Sequence, residues 1–392
     1  MLSTVLALGG VSLGAHAQPS GPDARITVRD GFELTVAAKI DGRARFMAVA
    51  DDGTLYVTDP DAGIIRALRD ENADGGYERQ DIFLEGLPRV HGIAFHDGWV
   101  WFTQTGSIHR ARDVDSDGDA DDRRTILAEG TIPAGAGHWW RSICIHGGRL
   151  YTSIGDSGNI TDEADSERQK IWSFDLRGGD KTLFASGVRN TEKLVIRPGT
   201  DELWGMDHGS DWFGRAVGDR RHNQPITDLN PPDEMNHYVA GGFYGHPYIT
   251  GNRVPRYEYL DRDDIHDLAA RTTPPEWATG AHWAPNAMCF YAPPAGARAA
   301  LPAEYAGDAL VAYHGSWNRS RRSGYQVTRV LFEDGHPYGE LSMVEFLAGD
   351  DADEPVILGR PVDVVVDRDG SVLISEDGQN TIYRLRWADG ES

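Results

Sequence analysis

Residues Ser142–Asp156 read SICIHGGRLYTSIGD. An alternating run climbs through Ser142–His146, meets Gly147-Gly148 and returns through Leu150–Ile154. Two glycines between alternating runs read as a hairpin, because the turn that suits the strand twist needs residues at positive φ. The unit leaves through Gly155-Asp156, a sharp polar exit.

The same unit recurs along the chain. It appears as FMAVADDGTLYVTD from Phe46, GIAFHDGWVWFTQ from Gly92, KLVIRPGTDELWGMDHG from Lys193 and VDVVVDRDGSVLISED from Val362, and more loosely as EYAGDALVAYHGSW from Glu304. Starts fall about 45–55 residues apart, with one gap of about 110 before the Glu304 unit, which is the period of four-stranded propeller blades. Six units predict an all-β, six-bladed β-propeller of antiparallel blades. A strand over 32–38 is placed to complete the last blade and remove the open edges. Paired β-sandwiches fit less well, since each runs about 100 residues. The expected organisation is a signal peptide over 1–17, a linker over 18–31 and the propeller over 32–392. An insertion over about 211–302 contains a short helix near 263–271.

Asp and Glu outnumber Lys and Arg by 61 to 38, a formal charge of -23. That excludes nucleic acid and anionic membrane surfaces as natural partners, because phosphate recognition needs clustered cations. Residues 1–17, MLSTVLALGGVSLGAHA, form an apolar run ending in the small-x-small site Ala15-His16-Ala17, without the usual basic start. The run is too short and glycine-rich for a membrane span, so the expectation is export to the periplasm or medium with no stable membrane insertion. The two cysteines, Cys144 and Cys289, sit in apolar β-like runs, and spacing leaves open whether they pair.

The chemistry-bearing stretches sit between the repeats. His138-Trp139-Trp140 places an imidazole beside aromatic walls, a sensible place for a proton acceptor acting on a small polar substrate, or else a loop histidine packed on tryptophan. LPRVHG at His91, GVRNTE at Arg189-Asn190, MDHGSD through Gly209, Ser210 and Asp211, HGSWNRS at Arg319 and GRP at Arg360 occupy equivalent points of successive repeats. Blade ends converge on a central channel, and converging arginines suit a polyanion, since guanidinium pairs carboxylates in a bidentate fashion. Asp113, Asp115, Asp117 and Asp119 in DVDSDGD have the spacing of a calcium loop, but Arg124 stands where the bidentate glutamate belongs. The reading there stays open between calcium and a solvated acidic turn.

Taken together, GHWWRSI, GGRLYTSIGDSGN, SGVRNTEKLVIRPGTDELWGMDHGSD, GGFYGHPY and AYHGSWNRSRRSGYQV resemble the soluble glucose/sorbosone dehydrogenase family, nearest its sorbosone-type branch. The resemblance runs from about Phe32 to Trp387. It implies a six-bladed propeller that uses pyrroloquinoline quinone (PQQ) and calcium to oxidise a sugar, polyol or sugar-derived aldehyde. In that picture His138 is the general base, and Arg189 stabilises charge on the quinone oxygen. His91, Asn190, Arg319 and Arg360 contact the cofactor, and Gly209, Ser210 and Asp211 hold its calcium. The absence of CxxCH implies a separate electron acceptor, a cytochrome or a quinone. Two rival readings use the same acidic channel: a calcium-dependent propeller hydrolase of the sugar lactonase type, and a non-catalytic glycan-binding propeller.

Overall fold

Six antiparallel sheets succeed one another along the chain, one per expected repeat, in the computed structural model, which describes residues 21–215, 224–349 and 354–388. Blade 1 is Met47–Val49, Leu55–Asp59, Ile64–Arg69 and Arg79–Leu84. Blade 2 is Ile93–His96, Trp99–Gln104, Ser107–Arg112 and Asp122–Leu127. Blade 3 is Cys144–His146, Arg149–Ile154, Lys170–Asp175 and Thr182–Ser186, and blade 4 is Leu194–Ile196, Leu203–Asp207, Pro232–Tyr238 and Trp277–Ala281. Blade 5 is Pro285–Phe290, Ala309–Tyr313, Gln326–Glu333 and His336–Glu345. Blade 6 takes Pro361–Val366, Val372–Glu376 and Thr381–Trp387 from the end of the chain, and Phe32–Lys39 from its beginning. This is a six-bladed β-propeller. The N-terminal strand pairs antiparallel with Thr381–Trp387 and closes the ring.

Local chemistry sets the hairpins. Asp97 and Gly98 have φ of 51° and 71°, and Gly147 and Gly148 have 55° and 73°, the paired left-handed conformation of a two-residue hairpin turn. Burial then stacks the sheets. One apolar cluster fills each of the six interfaces between neighbouring blades, for example Trp101, Leu127, Ile143 and Phe174 between blades 2 and 3. Inner strands are accordingly buried on both faces, as Leu55–Asp59 and Val372–Glu376 are along their whole length.

The span expected as one insertion, 211–302, is divided by blade strands. Pro232–Tyr238 and Trp277–Ala281 complete blade 4, and Pro285–Phe290 is the inner strand of blade 5. The pattern hid them for two reasons. PDEMNHY is polar because one of its faces lines a buried polar site, and 291–308 separates the first two strands of blade 5 where a tight turn would otherwise mark the pair. What is inserted is 239–276, with its own cluster of Tyr248, Ile249, Ile265 and Leu268 and the helix Ile265–Arg271. From it Gly242–Phe243 adds a parallel fifth strand to blade 3. The expected linker, 18–31, contains Thr27–Val28, which pairs with the outer strand of blade 5. Residues 1–17, the expected signal peptide, lie outside the described residues. No helix among the described residues is long and apolar enough to cross a membrane. Cys144 and Cys289 are free thiols.

Candidate active site

A four-stranded antiparallel blade sends two kinds of segment to the same face: the loop between its second and third strands, and the crossover to the next blade. His91, His138, Arg189, Asn190 and Arg360 lie on crossovers. Gly209, Ser210, Asp211 and Arg319 lie on second-to-third loops. All nine therefore share one face. Asp113, Asp115, Asp117 and Asp119 lie on a third-to-fourth hairpin and belong to the opposite face.

A chain of hydrogen bonds crosses the site. Arg360 Nη2 donates to His314 Nδ1 at 3.1 Å, and His314 Nε2 donates to Asp377 Oδ1 at 2.8 Å. Arg45 joins two carboxylates, with Nη1 2.9 Å from Asp377 Oδ2 and Nη2 3.1 Å from Glu192 Oε2. Asn190 Nδ2 donates to Glu192 Oε1 at 3.2 Å and reaches His208 Nδ1 at 3.4 Å. Blades 1, 4, 5 and 6 meet in this chain. Burial alone would raise the Glu192 carboxyl, but the close contact with His91 and the Arg45 charge outweigh it and hold Glu192 at about 2. His208 is held near 4, chiefly by burial, and is neutral at pH 7.

His138 sits on the rim of this chain. Its Nδ1–H donates to the Asp156 carbonyl at 2.8 Å, which leaves the Nε2 lone pair as the acceptor. Burial and the neighbouring Arg189 guanidinium lower its pKa to about 3, so the resting imidazole is neutral. Gly155 permits this packing, since a Cβ there would lie 2.8 Å from His138 Cβ and 2.7 Å from the Arg189 carbonyl. The Asp156 backbone is fixed in turn by its own carboxylate, which accepts from Gly158 N, Thr161 N, Gln169 Nε2 and His246 Nε2. Although burial acts to raise it, these donors keep the Asp156 carboxyl far below the usual range. His246 comes from the insertion in blade 4.

Arg189 is buried and donates to both oxygens of Asn159, with Asp211 Oδ1 at 3.3 Å. Beneath it Asp207, Asp233 and Glu234 are raised by burial to about 6, 7 and 8. Arg319 donates to the Ala281 carbonyl, and Arg360 lies over the Tyr325 ring. Neither has a carboxylate at salt-bridge distance among the described residues. His91 lies deeper than the others, only 1% exposed beneath Trp140, with Nε2 3.5 Å from Glu192 Oε2.

A flat triacid such as PQQ needs unneutralised cations beside a proton acceptor. Arg319 and Arg360 are such cations, and they share a face with the free Nε2 of His138. A calcium ion needs free oxygens, and among the described residues the Gly209 and Ser210 carbonyls accept no hydrogen bond, while Asp211 offers a half-exposed carboxylate. On the opposite face, the Asp113, Asp115 and Asp117 carboxylates lie within 4.8 Å of one another. Asp119 stands outside that group. Asp113 is already committed to Ser116 N, Gly118 N and, at 3.6 Å, Arg69.

Sequence reasoning missed Arg45, Glu192, His208, His246 and Asp377 as site residues. Glu192, His208 and His246 lie inside GVRNTE, MDHGSD and GGFYGHPY. Arg45 and Asp377 carried no signal beyond their position at the equivalent end of a blade.

An uncharacterized protein of Borreliella burgdorferi is 29% identical over 238 residues, 60% of this chain, and the chain spans 57% of the length of that curated relative. The iodide and calcium structures of Trichoderma reesei Carbohydrate-Active Enzymes Family AA12 superpose with TM-scores of 0.77 and 0.75 at 19% identity, each covering 95% of this chain and 100% and 98% of theirs. The holo form of the PQQ domain of pyranose dehydrogenase from Coprinopsis cinerea has a TM-score of 0.76 at 18% identity, over 94% of this chain and 98% of that one. These structures share the fold. The TrAA12-like family profile matches residues 26–388, and the chain belongs to that family.

Proposed function

We propose that this protein is a PQQ- and calcium-dependent dehydrogenase that oxidises a sugar, polyol or sugar-derived aldehyde. One observation carries the reading. A neutral imidazole with a free Nε2 shares a face with Arg319 and Arg360, two cations that have no carboxylate at salt-bridge distance among the described residues. The likeness of the fold to a PQQ domain of a pyranose dehydrogenase supports it, as do the sorbosone-type motifs. Arg319, Arg360 and Asn190 would hold the cofactor, with His91 behind them, and Gly209, Ser210 and Asp211 would hold its calcium. When bound, PQQ supplies a two-electron acceptor.

His138 takes the proton of the substrate hydroxyl at Nε2. The Asp156 carbonyl receives the Nδ1–H bond, which strengthens as the ring becomes cationic. An anion bound against Arg189 offsets the guanidinium field that depresses His138, and so makes Nε2 a better base. Trp139 and Trp140 follow the proton acceptor in the chain and pack their rings against His91, and the insertion over 239–276 braces the proton acceptor through His246. Electrons leave to a separate acceptor, and the apolar run over 1–17 directs export.

The test is reconstitution. The full chain is mixed with PQQ and calcium, and dye reduction is followed across a panel of sugars, polyols and aldehydes. His138→Ala should lower kcat by about 10²–10⁴-fold, the usual contribution of a general base. Binding of PQQ, read from its visible spectrum, should be retained. Lactone hydrolysis without dye reduction, or ligand binding with neither, would overturn the assignment in favour of a hydrolase or a glycan-binding propeller.

A further inference from the structure

The outer half of blade 2 gathers positive charge on a chain whose formal charge is -23. Arg110, Arg112 and Arg124 place their guanidinium carbons 4.3, 4.4 and 4.9 Å from the centroid of the Trp99 ring, and Arg110 also stacks on Trp101 at 5.0 Å. The register explains the cluster. Trp101, Arg110 and Arg124 are direct cross-strand partners in three adjacent strands, so all three side chains stand on one face.

Two of these cations share a single carboxylate. Asp122 Oδ2 lies 3.2 Å from Arg112 Nη2 and 2.9 Å from Arg124 Nη2. Arg110 stands between them and, among the described residues, has no carboxylate at salt-bridge distance and donates no hydrogen bond. Donors exceed acceptors across the whole face: Nε of Arg110, Nε of Arg112 and Nε1 of Trp101 lack partners. Asp97 and Asp122 act on Arg110 only at longer range, while burial, Arg124 and Arg112 lower its pKa. A half-buried guanidinium held flat on two indoles, between two like charges, is an arrangement that an anion completes. Stacking fixes the plane of the fork, and a fixed fork fits a carboxylate or sulfate edge in a bidentate fashion.

We infer that Arg110, flanked by Arg112 and Arg124 on Trp99, is the centre of an oxyanion-binding site on the flank of blade 2. The ligand class is a single sulfate or carboxylate group, free or carried on an acidic sugar chain. Its arginines come from the third and fourth strands of the blade and its indoles from the second, so it lies away from the crossovers and loops that carry the axial constellation and does not depend on the redox reading.

The test uses the full chain and tryptophan fluorescence, since Trp99 and Trp101 report directly on the stacked guanidiniums. Sodium sulfate is titrated against sodium chloride at matched ionic strength. A saturable sulfate response is expected, with affinity reduced at least tenfold in Arg110→Gln and several-fold in Arg124→Gln. Arg123→Gln, on the other face of the same blade, should bind sulfate as the parent does. Identical responses to sulfate and chloride, or unchanged affinity in both Arg110→Gln and Arg124→Gln, would overturn the inference. A uronic-acid oligomer that binds more tightly than sulfate assigns the oxyanion to an acidic glycan; the reverse order assigns it to a small free anion.

Discussion

Replacing Arg45 by methionine tests the buried chain that spans the site. Arg45 is 2% exposed and is the one residue among the described residues that pairs with both Glu192 and Asp377. Its loss is not felt equally at the two. Asp377 keeps His314 at 2.8 Å and Arg43 at 2.9 Å. Glu192 keeps Asn190 at 3.2 Å and His91 at 3.5 Å, which is the limit of hydrogen bonding, so Arg45 is its main charge partner. In the parent, Glu192 is held at about 2 against an ordinary value of 4.5. That difference is worth about 3 kcal/mol of native-state stability at neutral pH. Because the folded pKa is depressed, the stabilisation is present above pH 4.5 and is lost as pH falls through about 2.

Without Arg45, burial dominates and lifts Glu192 above its unfolded value, which reverses the sign of its contribution. Arg45→Met should therefore lower the unfolding free energy at pH 7 by about 3–5 kcal/mol, the usual result of leaving a buried charge unpaired. The gap to the parent should narrow between pH 7 and pH 4.5, because Glu192 in the variant takes up a proton there. Arg45→Met with Glu192→Gln should recover at least half of the loss at pH 7. Denaturant unfolding at both pH values, followed by tryptophan fluorescence, measures all three proteins. A gap independent of pH, or a double variant no more stable than Arg45→Met, would refute the reasoning.

Two further substitutions test how His138 is held. Gly155→Ala places a Cβ 2.7 Å from a backbone carbonyl and 2.8 Å from His138 Cβ. It should destabilise the protein by about 1–3 kcal/mol, as overpacking does. It should also reduce dye-reduction kcat at least tenfold, measured beside thermal unfolding. His246→Phe removes one donor from the Asp156 carboxylate and should lower kcat about tenfold with KM little changed, because the base is shifted while the sugar site is not. His246→Gln retains an N–H and should restore most of that kcat; equal losses in the two variants would make His246 a packing residue only.

Much of the fold was legible because its signals are local. A hairpin such as His96–Trp99 is set by two residues, Asp97 and Gly98, and the same short signal repeats around the ring. Closure by 32–38 follows because a sequence of strand pairs must dispose of its first edge. Blade 4 was legible only in its first hairpin. Its third strand, PDEMNHY, puts Glu234 and Asn236 on the face toward the raised carboxylates, so burial there does not show as apolar alternation. The buried chain was illegible for a different reason. Arg45 meets Glu192 across 147 residues and Asp377 across 332, and no spacing rule links partners joined only by the closing of a ring.

Which acidic loops belong to the site is decided by strand count, not by composition. Asp156 and Asp377 follow second strands and reach the face of His138, whereas the richer carboxylate loops, Asp113–Asp121 and Asp70–Glu78, are short third-to-fourth connections that stay at the opposite face, unlike the long one that carries His246. Composition alone ranks these loops the wrong way round. Counting strands within each blade sorts them correctly, because every hairpin reverses the chain and so reverses the face at which the next loop emerges. The same parity puts Arg43, Arg45, Arg189, Arg319 and Arg360 among the arginines on the face of His138, while Arg110 lies within the third strand of its blade.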